Sequence, residues 1–375
     1  DPEGQNTGPL QGREKGLPPL PPLNVVIIIV GSRGDVQPFI AFGHALQRRG
    51  HHVRLATHVV FRDFVLDQGL DFFPINGDPA ELMRFMVEHP DLITFSTREI
   101  EAKQHQMMEI YESSYQACIT PTQSAEYRPD VIIANPPVHV HCHIAEALQV
   151  PLHIMFTMPW TPTDIYPHPF ASPAALSLGN SRSYGVVNEM VWLGCGPLIN
   201  KFRKEVLGRR KIQWGSSLVY DLKIPHTYCM SPALVPKPPD WGSHIDVVGF
   251  WHMESVVAFD AVTEVPDLLQ FLEAGPPPFY VGFGSIVVND PLSLSERVVQ
   301  GVQRAGIRAV LHQGWARLGA GLDVGEHIFL LDKPVPHEWL FPRCAAVCHH
   351  GGAGTMAAGL SHGKPTLVVP FFGVQ

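Results

Sequence analysis

From Asn24 onward the chain alternates between short, nearly unbroken apolar runs and longer stretches in which apolar residues recur every three or four positions. Residues 25–30 are all β-branched, the pattern of a strand buried on both faces of a parallel sheet. The glycine loop Gly31-Ser32-Arg33-Gly34-Asp35 follows. Pro38, suited to the first turn of a helix, then opens an apolar-periodic segment over 39–49 that closes at Gly50. Strands are expected at 53–57, 70–75, 130–134 and 152–156, with helices over about 60–68 and 138–148. A second series has strands at 279–283, 307–311, 327–331, 345–348 and 365–369, a helix over 294–303 and another ending near Leu360. Such repeated alternation is the doubly wound α/β pattern. Residues 231–242 hold four prolines in twelve positions and read as an interdomain linker. The expected division is a Pro/Gly-rich leader at 1–23, a first Rossmann-like domain at 24–230, a linker at 231–245 and a second Rossmann-like domain at 246–375.

Composition narrows the function. The chain has 375 residues, 45% of them hydrophobic and 17% charged, too apolar for disorder and long enough for two domains. A net charge of −8 argues against a nucleic-acid partner, which would want a basic face. No signal segment precedes the first strand, and no apolar run approaches the ~20 residues that span a bilayer. The six cysteines are scattered without metal or redox spacing, which suits a reducing, cytoplasmic setting. The sequence opens on Asp1, so it reads as a fragment or a processed product.

Two loops carry candidate chemistry, because ligands in open α/β sheets bind outside the carboxyl ends of the strands. His350-Gly351-Gly352-Ala353-Gly354-Thr355 lies between an expected strand and an expected helix. Its glycines let the backbone approach an anion, and amides at a helix N-terminus bind phosphate. Thr355 can add a hydroxyl and His350 a ring N–H. The bland alternative is a tight turn without a ligand. In the first loop, Asp35 can take a proton from a substrate hydroxyl or simply cap the following helix. The cluster His139-Val-His141-Cys-His143 invites a zinc reading, but it falls at the start of an expected helix and a structural role is favoured. Trp160, Tyr166 and Phe170 would suit a flat apolar acceptor, or are ordinary packing.

Several stretches together resemble the fungal UDP-glucose:sterol 3β-glucosyltransferases. They are Gly31-Ser-Arg-Gly-Asp-Val-Gln-Pro-Phe39, Phe73-Pro-Ile-Asn-Gly-Asp-Pro-Ala-Glu-Leu-Met83, Met155-Phe-Thr-Met-Pro-Trp-Thr-Pro162, Trp241-Gly-Ser-His-Ile-Asp-Val-Val-Gly249, Gly282-Phe-Gly-Ser-Ile286 and His349-His-Gly-Gly-Ala-Gly-Thr355. The resemblance implies a GT-B fold, two Rossmann-like domains facing a cleft. It implies Asp35 as general base on a sterol 3-hydroxyl, with ergosterol as a representative acceptor and UDP-glucose as the donor substrate. His350, Gly351, Gly352, Gly354 and Thr355 would hold the diphosphate with Ser285 nearby, and the stretch 335–339, with His337 and Trp339, would surround the uracil. No cofactor and no metal is expected, and any membrane association would be peripheral. Inversion by one in-line attack would give a β-glucoside.

One departure stands out. The family pattern continues past Pro370-Phe-Phe-Gly with Asp-Gln, which contact the sugar hydroxyls, whereas this sequence has Val374 and Gln375 and then stops. Gln375 keeps the sugar-contacting position, valine cannot accept a hydroxyl hydrogen bond, and the second domain is expected to be incomplete.

Overall fold

The computed structural model describes residues 21–375 except 82–83, 85–96, 122–126, 253–258, 287, 289 and 372–375. Most of the expected leader, as well as Val374 and Gln375, therefore lies outside the described residues.

Two parallel sheets organise the chain. The first joins β1 (Asn24–Ile28), β2 (His52–His58), β3 (Asp71–Ile75), β4 (Val131–Ala134), β5 (Leu152–Phe156), β6 (His226–Tyr228) and β7 (Ile245–Val247) in the order β3-β2-β1-β4-β5-β6-β7. The second joins β8 (Phe279–Gly282), β9 (Ala309–His312), β10 (Ile328–Leu331), β11 (Ala346–His349) and β12 (Thr366–Val368) in the order β10-β9-β8-β11-β12. The order reverses around β1 in one sheet and around β8 in the other, which makes two topological switch points.

The β-branched run explains why β1 is central. Val26, Ile28 and Val30 point into one apolar layer, while Val25, Ile27 and Ile29 point into the other. Strand alternation thus sends each half of the run to a different face, and all six are buried. A polar substitution at any of them would strike a core.

Helix α1 (Arg33–Arg48) begins earlier than the position of Pro38 suggests. Ser32 is its N-cap, and Pro38 sits inside the helix. The proline removes one backbone donor, whose partner would be the carbonyl of Gly34, four residues back; Gly34 is exposed, so water can serve it. Two long helices, Thr97–Ile119 and Asn180–Glu205, cover the first sheet.

The expected linker at 231–245 is corrected. Ile245–Val247 is the seventh strand of the first sheet, paired with His226–Tyr228. The proline-rich segment is tied to the first unit: the Trp241 indole N–H donates to Pro162 O at 3.0 Å, and Asp240 accepts from the Thr163 hydroxyl and the Asp164 amide at 2.8 Å each. Prolines here stiffen a crossover within one sheet. The first unit runs to Gly249, whose amide still bonds Met230 O at 3.0 Å.

Candidate active site

Asp35 occupies the third position of α1, so it is not the N-cap but its reciprocal partner. Its Oδ2 accepts the Ser32 amide at 2.8 Å and the Ser32 hydroxyl at 3.0 Å, the arrangement of a capping box. Gly31 has φ +145, and a Cβ there would run into the Asp35 carboxylate; only glycine lets the acid fold back over the loop. Burial raises the Asp35 pKa, opposed by the hydrogen bonds from Ser32. A carboxylate so placed is a stronger base than one in water.

Two residues not singled out from the sequence hold this loop. Asn135, just after β4 and fully buried, accepts the Val30 amide at 3.1 Å and donates to Val30 O at 2.8 Å. His58, at the end of β2, takes the Gly31 amide on Nε2 at 3.4 Å and meets Asn76 O through Nδ1 at 3.1 Å. Burial lowers the His58 pKa, so the neutral ring with its proton on Nδ1 satisfies both contacts. Their position just beyond expected strands was the available signal.

In the second unit, His349 ends β11 and His350-Gly351-Gly352 leads into the helix Ala353–Ser361, with Gly352 as its N-cap. Thr355 stands in its first turn. A Cβ at Gly352 would collide with the His350 ring, so glycine lets that imidazole lie over the loop. Ser285 follows in the turn after β8, on the strand next to β11. The Gly351 amide donates to His349 Nδ1 at 2.9 Å, which puts the neutral ring's proton on Nε2. That Nε2, together with His350 Nδ1 and His312 Nδ1, is buried and finds no hydrogen-bond partner among the described residues. Buried polar atoms without partners are costly unless a ligand or water meets them.

His337 joins this group, stacked on Phe341 with centroids 4.4 Å apart and edge-on to Tyr280. Burial, then the neighbouring His312, His349, Arg33 and His350, push its pKa down to about 3. Burial brings His349 to about 4, and burial with His349 brings His350 to about 4. Trp339 packs differently, edge-on to Phe259 with the Arg343 guanidinium 4.5 Å from its ring centroid. His312, at the carboxyl end of β9, was not singled out from the sequence.

The two loops face each other. The charge of Arg33, at the first position of α1, helps to depress both His312 and His337, and α1 lies against the helix Ala353–Ser361. Among the described residues Arg33 makes no ion pair; its guanidinium rests 4.4 Å from the centroid of the Phe64 ring.

Trp160, Tyr166 and Phe170 are half-buried and largely pack on one another's neighbours. Trp160 stands edge-on to Phe156, His168 and Phe170, and Tyr166 edge-on to Trp241. The His139–His143 cluster serves the core: His139 meets the Tyr111 hydroxyl at 3.3 Å, the Cys142 amide donates to His141 at 2.7 Å, and Arg203 donates to His143 at 2.9 Å.

Residues 25–167 match the glycosyltransferase family 28 N-terminal domain. The fold is shared with solved glycosyltransferases: the glycotransferase of kitacinnamycin (TM-score 0.59, 18% identity, 93% of this chain and 80% of that one) and SnogD from Streptomyces nogalater (0.57, 19%, 93% and 82%). The chain thus has the GT-B fold, and its first unit carries the match to the family 28 N-terminal domain. In sequence the chain is similar to proteins named sterol 3-beta-glucosyltransferase. It is 45% identical to UGT80A2 and 44% to UGT80B1 of Arabidopsis thaliana, over 95% of its own length and 56% and 58% of theirs. A fungal relative, from Yarrowia lipolytica, is 38% identical over 93% of this chain and 24% of its own. The plant relatives are thus more similar than this fungal one, and the chain spans little more than half of their length. Among the described residues, no helix is long and apolar enough to cross a membrane.

Proposed function

We propose that the chain transfers glucose from UDP-glucose to the 3β-hydroxyl of a sterol such as ergosterol, acting as a peripheral enzyme at a membrane surface. One observation carries this reading: a half-buried acid at one switch point opposes a glycine loop at the other, where buried histidine nitrogens have no partner among the described residues. Asp35 accepts the hydroxyl proton as the sterol oxygen attacks the anomeric carbon. The bond from that carbon to the diphosphate breaks on the opposite side, so configuration inverts. Amides at the start of the helix Ala353–Ser361, with His350, Thr355 and Ser285, take the charge left on UDP. His337 and Trp339 border the base, Gln375 contacts the sugar, and Trp160, Tyr166 and Phe170 form the acceptor's apolar wall. The relatives' names supply the sterol and the glucose.

The test is incubation of the purified chain with UDP-glucose and ergosterol, followed by mass spectrometry and proton NMR. A steryl β-glucoside is expected. Absence of any glucoside would remove the acceptor assignment, and an α-glucoside would remove the single displacement.

A further inference from the structure

The long helix Asn180–Glu205 spans about 39 Å at 1.5 Å per residue. Its inner side buries Tyr184, Val187, Ile199 and Phe202. Its outer side shows Leu193, Pro197, Lys201 and Lys204, all exposed and spaced four, four and three residues apart, which places them on one face. The following segment folds back along the helix. Asn200 exchanges two hydrogen bonds with the Ile212 main chain, at 2.9 and 2.8 Å. Gly215 lies against the Trp192 ring, and the Ser216 hydroxyl donates to Glu189 at 2.5 Å. This pinning holds Trp214 beside the 192–200 stretch.

Trp214 and Leu193 are 81% and 76% exposed, more than any other large apolar side chain among the described residues. Exposed Arg210 and Lys211 adjoin them. Arg203 is not part of this surface, being buried against Glu146 at 2.5 Å. Residues 201–214 carry six cationic side chains, of which Lys201, Lys204, Arg210 and Lys211 are exposed, and one carboxylate, Glu205, in a chain of net charge −8. Four exposed cations and the most exposed indole among the described residues therefore lie on this helix and the segment pinned along it.

We propose that this face docks on an anionic lipid bilayer, with Trp214 and Leu193 at the headgroup boundary and Lys201, Lys204, Arg210 and Lys211 over the lipid phosphates. Indoles favour that boundary, and basic clusters bind acidic leaflets. A nucleic acid would engage the cations but leave Trp214 and Leu193 in water. The inference gives residues to the membrane part of the reading above and rests on that part alone.

The test is cosedimentation of the whole chain with phosphatidylcholine vesicles and with vesicles in which phosphatidylserine replaces part of the phosphatidylcholine. Binding is expected to the mixed vesicles and to weaken with salt. At ~1 kcal/mol per cation near an acidic surface, the double variant K201Q/K204Q should lose roughly 25-fold in partitioning. W214S should lose on the order of tenfold or more. R297Q/R304Q removes the same charge from exposed positions on the second unit and should stay within about twofold. Unchanged binding by K201Q/K204Q or by W214S, an equal loss in R297Q/R304Q, or equal binding to neutral vesicles would overturn the proposal. Transfer to cyclodextrin-solubilised sterol should be the same in all three variants. If the parent chain makes no glucoside yet the binding pattern holds, the docking face stands and the proposed reaction falls.

Discussion

Replacing Asp35 by Asn separates two tasks available to one carboxylate. Its Oδ2 closes the capping box through two bonds from Ser32, and an Asn carbonyl oxygen can accept both. What the substitution removes is charge. A carboxylate in the first turn of a helix gains about 0.3–1 kcal/mol from the aligned backbone dipoles. Burial works against it, as the raised pKa records. The two effects oppose, so folding stability should change by less than about 1 kcal/mol. Proton transfer has no such compensation, because an amide cannot act as the base. Loss of a positioned base costs ~100- to 10,000-fold, about 2.7–5.5 kcal/mol of barrier. Steady-state kcat at saturating UDP-glucose, thermal denaturation and UDP affinity should be measured on the same preparation. The expected result is a kcat at least a hundredfold down with the other two nearly unmoved. A variant within tenfold of the parent would leave Asp35 as a cap alone. The reaction needs the ionised carboxylate, whose pKa is raised, so kcat/KM of the parent should fall as pH drops through a value above the ordinary 3.8.

Further outcomes follow from the same geometry. His350→Ala should weaken UDP and UDP-glucose alike, by roughly 5- to 150-fold for a hydrogen bond of ~1–3 kcal/mol; unchanged calorimetric affinity would take His350 out of the diphosphate site. His349 and His350 sit at about 4 and His337 at about 3 in the free protein, and a bound diphosphate must raise them. UDP binding should therefore take up protons and tighten as pH falls below neutrality, detectable by calorimetry in buffers of different ionisation enthalpy. Burial also lowers His139, His141, His143 and His226 to about 3–4, below the usual 6.5. The unfolded chain then binds more protons, so stability is full above about pH 6.5 and lost as pH falls toward 4, with a falling Tm. Asn135→Ala strands the buried Val30 amide and carbonyl and should cost about 2–6 kcal/mol in denaturant unfolding, at ~1–3 kcal/mol for each unpaired group.

The strands were legible because burial on both faces of a parallel sheet demands nearly unbroken apolar runs, and 25–30, 279–283 and 152–156, the last broken only by His153, are of that kind. The long helices were not. Asn180–Glu205 contains Gly185, Gly194, Gly196 and Pro197, which local propensity reads as breaks. Packing overrides them: a Cβ at Gly196 would press on the Trp192 ring, so that glycine makes room for an aromatic. The proline-rich segment 231–242 misled for a related reason, since stiffness suits a crossover inside a sheet as well as a linker. In the site, glycine loops announce themselves by composition. His58, Asn135 and His312 do not, because each is a lone polar residue just past, or at the end of, a strand, and its meaning lies in which strand stands beside it.

Each half of the site is, alone, a common structural device. A capping box needs an acid three residues after a serine, and a glycine-rich turn needs no ligand at all. Opposition across the cleft is what makes them chemical, and the chain builds it at one place. After Gly249 leaves the first sheet, Trp251 turns back onto α1, its ring parallel to Phe42 at 4.6 Å and edge-on to Phe39 at 5.6 Å. The crossing point is thereby anchored to the helix whose first turn holds Arg33 and Asp35. On the far side, the His252 ring reaches the Ser361 hydroxyl at 3.5 Å, at the end of the helix that begins with the glycine loop. One short segment thus touches both helices that carry the opposed loops. The field of Arg33 at His312 and His337 is the electrical consequence. A cation supplied by one unit lowers the proton affinity of His312 and His337 in the other. On the proposed reading, a diphosphate entering the cleft would meet Arg33 and the histidines at once, pairing the guanidinium with an anion while it satisfies ring nitrogens that have no partner among the described residues.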